Sequence, residues 1–199
     1  MSRHRDAPEI LLVRARAGER EALDRLLGLY RNYLRLLART QIKVVLRGRL
    51  DPSDLVQEVL ANAFERFDQF KGATEGELTQ WLRKILVRQL ADQVKGHQSQ
   101  KRDVRRELSL DALDRSVVEA EGILVSRLSS PSSQAARRER SVLLADALEQ
   151  LPADYREVII LRHLERVEFS EIARRMGRSA GAVRMLWVRA LEKLRAVLE

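Results

Sequence analysis

The chain has 199 residues, 45% of them hydrophobic and 33% charged, enough for one or two packed domains. It has no cysteine, which excludes disulfides and thiolate metal sites, and its histidines, His4, His97 and His163, are too scattered to favour zinc. No run approaches the roughly 18 apolar residues of a membrane span, and the N-terminal Met-Ser-Arg-His-Arg-Asp has no apolar stretch behind its charges, so a cytoplasmic protein without membrane insertion is expected. The net charge of +8 favours a polyanionic partner. Its distribution is uneven: basic residues crowd Arg83 to Arg106 and the C-terminal helix, whereas Asp51 to Glu65 is acidic.

From Pro8 to about Thr40, apolar residues at helical spacing predict a short helix and then a long one, with a break at Ala17-Gly18. A basic and apolar stretch, Gln41 to Leu50, leads into Asp51-Pro52-Ser53-Asp54, which has the cap, proline and carboxylate of a helix start. The helix that follows, to about Phe67, buries Leu55, Val56, Val59, Leu60, Ala63, Phe64 and Phe67. It leaves Asp54, Gln57, Glu58, Asn62 and Glu65 outside, ordinarily a solvated polar face.

A two-glycine loop, Phe70-Lys-Gly-Ala-Thr-Glu-Gly-Glu77, precedes a helix from about Leu78 to Gly96. Trp81, Leu82, Ile85, Leu86 and Leu90 form its core stripe, and Arg83, Lys84, Arg88 and Lys95 make it basic. An aromatic-rimmed loop before a basic helix suits single-stranded nucleic acid; Phe70 and Trp81 also read as core residues, Trp81 more so. Gln98 to Arg106 is basic, Ser109 to Leu128 has no clean period, and Ser129-Ser-Pro-Ser-Ser133 is a flexible spacer marking a domain boundary.

The last domain opens near Ala135 with a helix to Leu151, and Leu151-Pro152 turns the chain into Tyr155 to Leu164. Phe169 to Trp187 then reads as a helix-turn-helix. Ser170 is expected to cap its first helix, whose apolar face is Ile172, Ala173 and Met176, and Gly177 supplies the left-handed turn. Ser179 caps the second helix, which buries Val183, Leu186, Ala190, Leu191 and Leu194 and exposes Arg184, Arg189 and Lys193. A helical hairpin in an all-α core would use the same glycine, so the motif is a hypothesis of DNA binding.

Taken together, Asp54-Leu-Val-Gln-Glu58, Trp81-Leu82 with Ile85 and Asp92, Leu151-Pro152 with Tyr155-Arg-Glu-Val158, and the helix-turn-helix resemble a sigma factor of RNA polymerase, in the compact two-domain extracytoplasmic-function group. The resemblance spans all but about Glu107 to Ala136. It implies an all-α fold: a core-binding and minus-10 domain at 8–100, a linker at 101–136 and a minus-35 domain at 137–199. Asp54, Gln57 and Glu58 would meet the clamp helices of the β′ subunit of core RNA polymerase, which also offers its β subunit as a partner.

Phe70, Lys71, Arg83, Lys84 and Arg88 would handle the opened minus-10 strand of promoter DNA, and Arg178, Ser179, Gly181, Arg184 and Arg189 the minus-35 duplex. No cofactor, metal or catalytic residue is implied, and family habit adds an anti-sigma partner that no residue here identifies. The chain departs from the common pattern at Arg88, where many relatives carry asparagine, in a longer loop from Gly72 to Trp81, and at Met185 and Leu186 in the reading helix. A stand-alone helix-turn-helix regulator binding duplex DNA as a homodimer is the alternative, and a polymerase-binding adaptor is a third.

Overall fold

Helix signals at each end account for most of the elements in the computed structural model, which describes residues 7–45, 51–98 and 134–198. The chain divides into two units at Val118 and Glu119. Among the described residues the secondary structure is helical throughout, and no helix is long and apolar enough to cross a membrane.

In the first unit, α1 (Pro8–Arg16) has proline in its first turn with Glu9, and Arg14 and Arg16 in its last, an order that suits the helix dipole. Gly18, at φ +94, turns the chain into α2 (Arg20–Leu29), and Arg14 and Glu19 pair across that turn. The expected long helix is two. Tyr30, at φ −93 and ψ −2, ends α2 before α3 (Arg31–Val45) begins, and its ring is fully buried, so packing fixes the bend.

The helix α4 (Pro52–Glu65) starts where the carboxylate of Asp51 accepts the Ser53 N–H at 2.6 Å, with Pro52 in the first turn. It stops short of Phe67, and a single 3-10 turn, Phe67–Gln69, carries the chain to the loop. The last helix of the unit, α5, runs Glu75–Gln98 and packs on α4, α3 and α1. Leu34, Leu55, Leu78, Leu82 and Leu86 are fully buried among these helices.

In the second unit α6 spans Gln134–Glu149, beginning inside the last residues assigned to the linker; most of the expected linker, and the spacer at 129–133, lies outside the described residues. After Pro152, α7 (Ala153–Ile159) continues into a π-helical turn, Ile160–Leu164, that the sequence periodicity did not anticipate. Arg166, at φ 54, then reverses the chain into α8 (Phe169–Met176). Glu168, not Ser170, occupies the N-cap position, and its side chain makes no cap bond. Ser170 lies one residue inside the helix because Phe169 already has helical geometry and seats its ring beside Trp187.

Gly177 adopts φ 63 and ψ 33, and the Arg178 N–H donates to the Ala173 carbonyl at 2.9 Å. The helix α9 (Ala180–Leu198) opens with the Ser179 hydroxyl accepting the Ala182 N–H at 3.2 Å, the cap expected from sequence. It packs on α7, α8 and α6 through Val183, Ala190 and Leu194.

Candidate nucleic-acid interface

Among the described residues, three surfaces carry the polar chemistry. On α4, Asp54, Gln57 and Glu58 are all exposed and, spaced i, i+3 and i+4, share one side of the helix, while Leu55, Val56 and Val59 occupy the other. Glu58 accepts a hydrogen bond from Gln93 of α5 at 3.2 Å, a neighbour 35 residues away that periodicity could not supply. Beside Gln57 runs a groove of about 390 Å³ whose walls include Asp24, Leu27 and Arg31 together with Leu60 and Phe64.

The second surface surrounds the loop before α5. The rings of Phe67, Phe70 and Trp81 form one cluster, with centroid separations of 5.7, 6.2 and 5.3 Å. Gly72 crosses directly above the Phe70 ring: a Cβ added there would lie 2.6 Å from Cε2 of Phe70, closer still to Cζ, and 2.8 Å from Cβ of Glu77. Only a residue without a side chain lets the backbone approach this closely.

A reciprocal cap fixes the far end of the loop. The Glu77 carboxylate accepts the N–H groups of Ala73 and Thr74 at 2.9 and 3.0 Å, and the Thr74 hydroxyl accepts the Glu77 N–H at 3.2 Å. These donors, with the Thr74 hydroxyl, hold the Glu77 carboxyl below its ordinary value. Arg16 of α1 donates to the Gly72 carbonyl at 2.9 Å. The Thr74-x-x-Glu77 pattern is a capping box whose signature, Thr followed three residues later by Glu, is legible in the sequence.

Between the loop and the α1–α2 turn lies a groove of about 410 Å³ lined by Arg16, Arg20 and Lys71 together with Phe67 and Phe70. Arg20 also stands over the Phe64 ring at 5.4 Å. Lys71, Lys84 and Arg88 are exposed, and the Lys71 ammonium donates to the Asp68 carbonyl at 3.0 Å.

Two of the five residues expected to handle the strand, Phe70 and Arg83, are buried rather than exposed. Phe70 is 7% exposed because its ring is the floor beneath Gly72. Arg83 is 6% exposed because α5 packs against three helices and its buried stripe is wide: Thr79, Arg83 and Val87 follow one another at four-residue spacing. Arg83 is thus withdrawn from the exposed surface, whereas Phe70, though buried, still lines the groove with Phe67. Trp81 is half-buried.

The third surface is the helix-turn-helix. Arg184, Arg189, Ser179 and Gly181 are exposed, with the Ser179 hydroxyl engaged in the helix cap. Arg178 is exposed but forms an ion pair with Asp154 in the first turn of α7. Behind this face the Trp187 indole N–H donates to Nε2 of His163 at 2.9 Å, and Phe169 meets Trp187 edge-on at 5.6 Å.

Arg162 and Arg184 stack over Phe169 at 4.7 and 5.9 Å. Glu171, on the outer side of α8, grips Arg174 and Arg175 at 2.8 and 2.7 Å, and their donated hydrogen bonds lower its carboxyl to about 2. Leu186, expected in the buried stripe of this helix, is half-buried; Met185 is exposed. The aromatic lock of His163, Phe169 and Trp187 was not foreseen, because its members lie on three separate elements.

Comparison with known proteins follows the same division. The family described as Sigma-70 region 2 matches residues 29–100, and Sigma-70, region 4 matches residues 141–194. Over 188 residues the chain is 28% identical to the ECF RNA polymerase sigma-E factor of Escherichia coli (strain K12), covering 94% of this chain and 91% of that one. The ECF RNA polymerase sigma-E factor of Haemophilus influenzae is 26% identical across 94% of this chain and 92% of its own. With both regions present in order on an all-helical frame, the chain belongs to the sigma-70 family of RNA polymerase sigma factors, in its extracytoplasmic-function group.

Proposed function

We propose that this sigma factor divides promoter recognition between its two units, 8–100 and 137–199, joined by the linker 101–136, and acts in the cytoplasm without catalysing any step. The outer face of α4, with Asp54, Gln57 and Glu58, docks on the β′ clamp helices of core polymerase, where paired carboxylates suit partner arginines. The helix α9 enters the major groove of the minus-35 element, and Arg178 and Arg189 hold phosphates. Lys71, Lys84 and Arg88 follow the backbone of the opened minus-10 strand, and the groove beside the preset loop receives an unstacked base. Binding free energy, partitioned among these contacts, offsets the cost of strand separation.

The observation that carries the reading is the joint presence, on one chain, of an exposed acidic helix face and a separate helix-turn-helix whose exposed face is cationic. A duplex-binding homodimer has no use for the first. The test is run-off transcription on a promoter library with core polymerase, with and without the chain. New start sites are expected, and Asp54→Ala with Glu58→Ala should abolish them by weakening core association while leaving duplex binding by the second unit intact. Start sites that persist in the double variant, or equal loss of both kinds of binding, contradict the assignment of surfaces.

A further inference from the structure

The exposed side of the reading helix is not uniformly polar. On α9, residues 181, 184, 185 and 188 fall on one side at three- and four-residue spacing, opposite the buried Val183, Ala190 and Leu194. Met185 is 54% exposed and Val188 39%, and they are the two large apolar side chains that stand open on this face within its first nine residues. Gly181 begins the same strip. A Cβ there would meet nothing within 4 Å, so the fold does not require glycine at this position.

Glycine inside a helix costs about 1 kcal/mol relative to alanine. A glycine with open space in front of it, followed by two exposed apolar side chains, lets the helix backbone approach a partner closely and then meet it with methyl and thioether groups. Cations flank the strip: Arg184 on one side, Arg189 on the other, Arg178 at its N-terminal end. Glu192, exposed one turn beyond Val188, repels phosphate and confines a DNA partner to the first turns.

We infer that Met185 and Val188 read thymine C5-methyl groups in the major groove, with Gly181 permitting the close approach, so that part of the upstream element is selected by apolar contact rather than by hydrogen bonds. The inference rests on the placement of α9 in the minus-35 duplex proposed above. Thymine alone presents a methyl group at the major-groove edge, and apolar side chains discriminate it from cytosine and the purines. Arg178 and Arg189 supply phosphate attraction that is indifferent to sequence, whereas Met185 and Val188 favour a thymine step beneath them.

The test uses holoenzyme assembled from the full chain and core polymerase. An upstream element is first selected from a randomised duplex; each thymine in it is then replaced by deoxyuridine, which removes the methyl group and nothing else. One thymine, or two adjacent ones, should lose about fourfold in affinity on demethylation, the effect of one buried methyl. In Met185→Ala or Val188→Ala holoenzyme the same replacement should change affinity less than twofold. Both side chains are exposed, so circular dichroism of these variants should match the parent.

Equal binding of thymine and deoxyuridine duplexes by the parent holoenzyme overturns the methyl contact and leaves the initiation reading standing. So does a Met185→Ala variant that loses core association while its methyl effect persists, which would make the strip a protein-docking surface. A holoenzyme that selects no upstream sequence overturns the initiation reading itself, and the methyl contact with it.

Discussion

Replacing Gly72 with alanine places a methyl group 2.6 Å from Cε2 of Phe70 and 2.8 Å from Cβ of Glu77. Neither neighbour is the free end of a flexible chain. The Phe70 ring is held by Phe67 and Trp81, and Cβ of Glu77 is anchored to the backbone of α5. Overpacking of this kind costs about 1–3 kcal/mol, and the rigidity of both neighbours favours the upper half of that range.

The loop can relieve the clash by lifting, which strains the hydrogen bond from Arg16 to the Gly72 carbonyl, or the ring can leave its cluster. The chain has two tryptophans, so in a Trp187→Phe background the emission of Trp81 reports the first unit alone. Urea unfolding should show a midpoint lowered by about 1 M, with native emission already altered. Phe70→Leu, which removes the offending ring atoms, should shrink the added cost of Gly72→Ala in a double-mutant cycle. An unchanged midpoint with unchanged Trp81 emission would refute the placement of the loop on the ring.

Other expectations concern charge. The Glu77 carboxyl is held below its ordinary 4.5 in the folded chain, so its contribution to stability is complete above that value and is lost as pH falls through the depressed folded value. Glu77→Gln keeps an acceptor in the cap but no charge. Unfolding midpoints at about pH 6 and about pH 3.5 should therefore differ less for this variant than for the parent, and an identical acid loss would contradict the cap as its origin. Asp154→Asn releases Arg178 from its ion pair; such surface pairs are worth about 0.5 kcal/mol, so stability should barely move while duplex affinity rises roughly twofold to threefold, and unchanged affinity would remove Arg178 from the phosphate contacts.

Local chemistry was the most legible part of the chain. Asp51, Gly177 and Ser179 announce helix ends because caps and left-handed turns need particular residues at particular places, and each performs that role. Arg83 misled because a charge predicts exposure only when the buried stripe is narrow, and the width of that stripe depends on how many helices surround α5. Ser170 misled because a good cap residue two positions late looks the same in sequence. The break at Tyr30 and the groove shared by Arg16, Arg20 and Phe70 depend on residues brought together from distant segments, for which periodicity has no signal.

The π-helical turn at Ile160–Leu164 has a bearing on how such a chain can vary in length. Its Glu165 N–H reaches back to the Ile160 carbonyl at 3.0 Å, a five-residue span that accommodates one residue more than an α-helical turn. A single-residue deletion here can be absorbed by reverting the turn to ordinary α-helix, without cutting α8 or α9. The cost falls on His163 and Arg162, whose side chains would swing by about 100° around the axis and abandon Trp187 and Phe169. Descendants that shed the residue would thus keep their reading helix and have to find a new way to brace it.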